Sequence, residues 1–210
     1  MVTNNGSLKA DGGYIQLSAK TAENLMLGAV NIGSSGTISS ATIDRKTGNV
    51  IIGGEDSGFV NIGGNIDISS SNPTTPSGNL NITGTNLYFG GEANASGSTG
   101  GNISAKAKEM LVLDSSIVAK GLKANGGDLI VVSEDVLLST AQANMDMSGS
   151  GNGGSIKLHA DNYGLFNGSF KADGNSGQGG KIDFSGNNIR LTKADISAKG
   201  SLSWLIVGSF

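Results

Sequence analysis

The residues whose types and spacing could do chemistry are few. Gly149-Ser150-Gly151-Asn152-Gly153-Gly154 satisfies the G-x-G-x-x-G letter pattern of a dinucleotide cradle. That chemistry needs a strand before the glycines, a helix after them and an acid about 20 residues further on. The residues that follow, Ser155-Ile156-Lys157-Leu158, alternate as a strand does, so the glycines read as a turn. Gly177-Gln178-Gly179-Gly180-Lys181 lacks Walker spacing. Gly53-Gly54-Glu55-Asp56 departs from the G-G-x-G-x-D calcium repeat, which leaves Glu55 and Asp56 as calcium candidates on carboxylate chemistry alone.

His159 is the only histidine and sits next to apolar Leu158 at an outward strand position. The sequence offers neither a Ser-His-Asp triad nor a zinc set around it, so it reads as a solvated side chain. Acid-base work without histidine, as in polysaccharide lyases and hydrolases, needs grouped carboxylates. Asp128, Asp161 and Asp183 fall at different offsets in the repeat and alternate with Lys157 and Lys181, a scattered solvated face. Asn81, Asn94, Asn102 and Asn167 head sequon-like triplets, but they read as side chains that satisfy turn backbone. No catalytic, cofactor-binding or metal-ligating residue is expected, and no cofactor.

Composition narrows the class further. The chain holds 35 Gly and 2 Pro in 210 residues, without a Gly-X-Y period, so the glycines serve turns and not a collagen helix. Low aromatic and charged fractions beside abundant Ser, Thr, Asn and branched apolar residues make a β-rich composition. A net charge of -3 with no Lys or Arg run gives no footprint for nucleic acid or an anionic membrane. Zero cysteines exclude disulfides, thiol catalysis and Cys-based zinc sites. No apolar run reaches the roughly 18 residues of a membrane span. Met1 to Gly6 lacks the basic and apolar regions of a signal peptide, which suits either a cytosolic protein or an internal piece of a longer exported one.

The elements that must position these residues follow from a repeat. Gly101, Gly127, Gly154 and Gly180 each end a Gly-Gly pair, open an alternating apolar segment and start 26, 27 and 26 residues apart. Such a period marks a solenoid. Apolar pairs recur at three offsets from the marker glycine. The first offset gives Leu80/Ile82, Ile103/Ala105, Leu129/Val131, Ile156/Leu158 and Ile182/Phe184. The second gives Leu87/Phe89, Met110/Val112, Val136/Leu138, Tyr163/Leu165 and Ile189/Leu191. The third gives Ile117/Ala119, Ala143/Met145, Phe170/Ala172 and Ile196/Ala198. Three half-buried strands per repeat with no period-3.6 segment predict an all-β parallel β-helix of three-strand coils, about 26 residues each. Seven to eight coils would span roughly 35 to 40 Å. The Gly-Gly pairs are expected at a corner that requires positive φ and leaves no room for a side chain.

Residues 1-200 are expected to form one continuous solenoid. Lys20 to Val30 carries a spacing that also suits a short helix, and Thr37-Ile38-Ser39 reads as a strand with Ile38 inward. Ser69 to Ser77 holds both prolines and no apolar residue, a loop projecting from the rod and the best candidate for a contact element. Residues 201-210 break the repeat and carry the only Trp, an irregular end that suits a cap or a truncation.

Gly12-Gly13-Tyr14-Ile15-Gln16-Leu17-Ser18-Ala19, Asn31-Ile32-Gly33 and Gly36-Thr37-Ile38-Ser39-Ser40-Ala41 resemble the filamentous haemagglutinin family of bacterial exoproteins secreted by the two-partner route. Asn152 to Leu158 and Gly177 to Ile182 are similar to its β-helical shaft. The resemblance covers most of Ala10 to Gly200 and rests on repeat grammar. It implies a right-handed parallel β-helix, secreted or associated with the outer membrane at the bacterial surface. It also implies export through a two-partner outer-membrane transporter and adhesion through a glycan or protein receptor on host or bacterial cells. The chain lacks the family's signal peptide and the start of its secretion domain. A non-enzymatic adhesin shaft is the expected function, with a carbohydrate-active β-helix enzyme as the alternative. An ice-binding solenoid would need a flat threonine face, which Thr37, Thr42, Thr83 and Thr140 do not form.

Overall fold

A computed structural model describes residues 2–11, 13–18, 28–39, 48–53, 58–70, 72 and 74–201. Among them every strand pairing is parallel, and no helix occurs. The chain winds as a β-solenoid, and each coil contributes one rung to each of three sheets. Parallel strands cannot be joined by tight hairpins, so each must wait for a full coil before its partner arrives.

The first sheet stacks seven rungs. Its central interior column runs Ile15, Val50, Leu80, Ile103, Leu129, Ile156, Ile182. Seven rungs enclose about six turns, and at about 4.8 Å per step the rod is about 29 Å long. The last three steps keep the expected interval of about 26 residues; the first two take 35 and 30. Lengthening the chain between rungs adds little closure-entropy cost. Gly28–Ile32 is a strand of the second sheet, and residues 20–27 of the helix-compatible stretch lie outside the described residues. So do residues 202–210. Ile38 is fully buried on strand Thr37–Ser39, as its alternation predicts.

The second sheet corrects the sequence reading. In its three middle rungs the buried residues are Leu111 and Leu113, Leu137 and Ser139, and Gly164 and Phe166. Met110/Val112, Val136/Leu138 and Tyr163/Leu165, expected inside, face outward. The cause is one extra residue in the strand between Ala107 and Met110 relative to the coil before it. A slip of one residue moves a whole strand's side chains to the other face. A second irregularity between Phe166 and Gly168 accompanies a return to the earlier offset, with Ile189 paired to Gly164 and Leu191 to Phe166. In the third sheet the column runs Ile117, Met145, Phe170, Ile196. Met145 therefore pairs inside with Met147, while Ala143 is buried at the corner before them.

The corner glycines are where they were expected, for one of the two expected reasons. Positive φ occurs among the described residues at Gly53, Gly168 and Gly186, not at the paired glycines. Crowding alone excludes side chains there. A Cβ on Gly154 would fall on the carbonyl oxygen of Gly127, and the same holds for Gly127 on Gly101 and Gly180 on Gly154. That oxygen accepts the N–H of the next rung's first residue, as Ser155 donates to Gly127 at 3.0 Å. Gly154 N–H meanwhile closes its own corner on Met147 O at 2.8 Å.

The interior also compensates in size. Gly164 leaves the space that the ring of Phe166 fills. Phe166 and Phe170 both pack on Phe184, with ring centroids 5.0 Å apart in each pair.

Gly154→Ala is expected to cost about 1–3 kcal/mol, because backbone and not a movable side chain occupies the space. Gly151→Ala, whose Cβ would approach the Asn125 side-chain oxygen at 3.1 Å and touch Ala124 backbone at ordinary van der Waals distance, 3.4 Å, is expected to cost under about 1 kcal/mol. Urea midpoints of the two variants check the difference.

Candidate functional site

The glycine corner does more than close the coil. Where side chains are forbidden the surface sinks, and a groove of about 910 Å³ runs along the rod over four coils. Its floor is the paired glycines from Gly100 to Gly180. One wall carries Asn125, Asn152 and Gln178 at the turn before each pair, and the other carries Asn102, Asp128, Ser155 and Lys181 at the start of each first-sheet strand. Pro76 and Ser77 close one end.

The wall residues are tied between coils. Asn125 Oδ1 accepts the Asn152 N–H at 3.2 Å, and Asn152 Oδ1 accepts the Gln178 N–H at 2.9 Å. On the other wall Ser155 Oγ donates to Asp128 Oδ1 at 2.5 Å. Further up this column Asn102 donates to Asn79, which donates to Asn49, both at 2.9 Å. Such a wall offers neutral hydrogen-bonding groups once per coil, with Asp128 its one carboxylate and Lys181 its one cation. Two carboxylates across a reacting bond, the arrangement glycoside hydrolysis requires, are not what this groove presents.

The carboxylates weighed on the sequence are placed apart. Asp183 sits in the column of Ile130 and Lys157, not that of Asp128. Its Oδ2 lies 3.7 Å from Lys181 Nζ. Asp161 lies beyond the end of strand Ser155–Ala160 and meets His159. Glu55 and Asp56 lie outside the described residues. Among the described residues no group of three or more His, Asp or Glu side chains is placed to hold a metal ion. No helix among the described residues is long and apolar enough to cross a membrane.

His159 has partners that the sequence did not reveal. Its Nε2 lies 2.8 Å from Asp161 Oδ1 and its Nδ1 2.9 Å from Ser185 Oγ, one coil further on. The letters are those of a catalytic triad, but catalysis also requires free N–H donors aimed at an oxyanion. Here the strand ladder consumes the neighbouring amides, and Asn187 N–H is bound to Asp161 O at 3.2 Å. The trio ties two rungs together on a flat, outward face.

The 69–77 segment is anchored at both ends. Ser70 N–H donates to Ser96 O at 2.9 Å and Ser77 N–H to Thr99 O at 3.2 Å. Ser70 and Thr75 are buried and their hydroxyls bond to each other. Asn72, Thr74 and Pro76 form the exposed tip. As expected of turn residues, Asn94 Oδ1 holds the Ser96 N–H at 3.1 Å, and Asn167 Oδ1 holds the Lys193 N–H at 3.1 Å.

Asp146 is the most enclosed of the ionised links. Burial works to raise its pKa, but Lys120 Nζ at 2.8 Å and the Ser148 N–H at 3.0 Å outweigh it and hold the carboxyl below its ordinary 3.8. A depressed pKa contributes stability that is present above the unfolded value and is lost as pH falls through the folded one. Asp146→Asn is therefore expected to cost about 1 kcal/mol near neutrality, Lys120 being half exposed. The gap between wild type and variant should close as the pH drops below 3.8; urea melts across a pH series measure it.

No protein-family model matches the chain, and neither does any curated protein or any solved structure.

Proposed function

We propose that this chain is a structural segment of a β-solenoid shaft, part of a secreted or surface-exposed bacterial adhesin whose task is reach and contact, without catalysis. The observation that carries this reading is the unbroken interior column from Ile15 to Ile182. Its uniformity lets a rod be lengthened coil by coil while outer positions vary, which is the use to which solenoids are suited. The repeat grammar of the sequence supports the adhesin assignment. On this reading the chain is exported through a two-partner outer-membrane transporter and stands at the outer-membrane surface. Its receptor is a glycan or protein on a host or bacterial cell, and nucleic acid is not a partner.

The corner groove favours a second reading, a carbohydrate-active β-helix enzyme. Its length suits an extended polymer, and Asp128 is its one candidate acid.

Incubation of the chain with a panel of acidic and neutral polysaccharides, following product release, separates the two. The shaft reading expects no turnover on any of them. Sustained release that disappears in Asp128→Asn would replace it with the enzyme.

A further inference from the structure

Outward positions of the solenoid are mostly polar, and apolar exceptions such as Leu122 and Phe59 are scattered; the second sheet holds a continuous run of them. On three consecutive middle rungs of the second sheet all six outward side chains are apolar: Met110 and Val112, Val136 and Leu138, Tyr163 and Leu165. Met110 is 42% exposed and the other five are half-buried. A parallel strand apolar on both faces is the pattern of a sheet covered on both faces, yet nothing within the described residues covers this one.

The ends of the strip differ in a matched way. In the column that contains Val112, Leu138 and Leu165, the rung above carries Tyr88 and the rung below carries Arg190. Arg190 is exposed and has no ion-pair partner among the described residues. Tyr88 donates its hydroxyl to Asp114 Oδ2 at 3.0 Å, so a ring and a carboxylate lie side by side. Tyr88 and Arg190 stand two rungs from the Val136–Leu138 rung, on opposite sides.

We infer that this face docks a second copy of the chain, with the two rods antiparallel about a two-fold axis running along the Val136–Leu138 rung. That operation lays the apolar strip on its own copy, Leu138 against Leu138. It brings each Arg190 over the partner's Tyr88 ring and Asp114 carboxylate, a cation–π and charge pairing at both ends. A two-fold contact uses one patch on both subunits, and a second copy necessarily presents the same rung pitch. Five rungs by two outward residues make about 300 Å² per copy at ladder spacings, well below the roughly 800 Å² per partner of a stable complex. The pairing is therefore weak and concentration-dependent, suited to lateral bundling of rods and going beyond the shaft reading above.

Sedimentation equilibrium over a wide concentration series tests this. The weight-average mass is expected to climb from 21.0 kDa toward twice that value. Leu138→Lys, which sets like charges against each other on the axis, should weaken association at least about tenfold, and Arg190→Asp should weaken it less. Leu138→Met should leave it unchanged, and circular dichroism should show the β-signal of all three variants intact. A mass that stays monomeric up to the solubility limit overturns the inference, as does association that Leu138→Lys leaves untouched.

Discussion

The carbonyl oxygen of each corner glycine lies where a Cβ on the next coil's glycine would have to sit, and the rest of the rod depends on that contact. Gly101, Gly127, Gly154 and Gly180 approach in file, and the oxygens of the first three accept the N–H that starts the following rung. The approach sets where every first-sheet strand begins and therefore which of its side chains point inward. Alternation then does the remainder: with a period of two, fixing one residue of a strand fixes all of them. A second file, Gly36, Gly64 and Gly91, performs the same service at the corner before the third sheet.

Between those corners the coil tolerates irregularity only where it can be absorbed. The first two steps of the first sheet take 35 and 30 residues without moving the interior column, because residues added outside the ladder break none of its hydrogen bonds. The extra residue between Ala107 and Met110 lies inside a continuous strand, so it flips the second sheet's phase, and the core survives because Leu111 and Leu113 stand ready beside Met110 and Val112. Apolar residues on both parities make the slip cheap; with the polar alternation of Ser155 to Ala160 it would have put Lys157 in the core.

That same redundancy decides what could be read beforehand. The first-sheet column was legible because a glycine stands before each of its strands, paired in five of the seven, and apolar residues recur at the same offset after it. The second sheet was not, because Met110-Leu111-Val112-Leu113 fits either phase and the bulge leaves no mark in composition. Crowding at the corner was legible from the repeated glycines, while the conformation was misjudged, since glycine marks both missing space and positive φ. The asparagine column Asn49, Asn79, Asn102 and the His159–Ser185 contact were invisible for a different reason. Their partners lie 23 to 30 residues away, and only stacking tells which positions meet.

A fold determined at its corners and in its interior leaves the outer columns free to carry chemistry. One such column reads Asn49, Asn79, Asn102, Asp128, Ser155, Lys181, passing from amide to acid to hydroxyl to cation while the column beside it stays apolar from Val50 to Ile182. Asn49, Asn79 and Asn102 are linked in series, and Asp128 is linked to Ser155, by bonds that any short polar side chain could supply. The chemistry of the outer surface is therefore set by the succession of side chains along a column, and it can change one rung at a time at little cost in stability. At the glycine groove that succession stops being arbitrary, because backbone occupies the space a side chain would need.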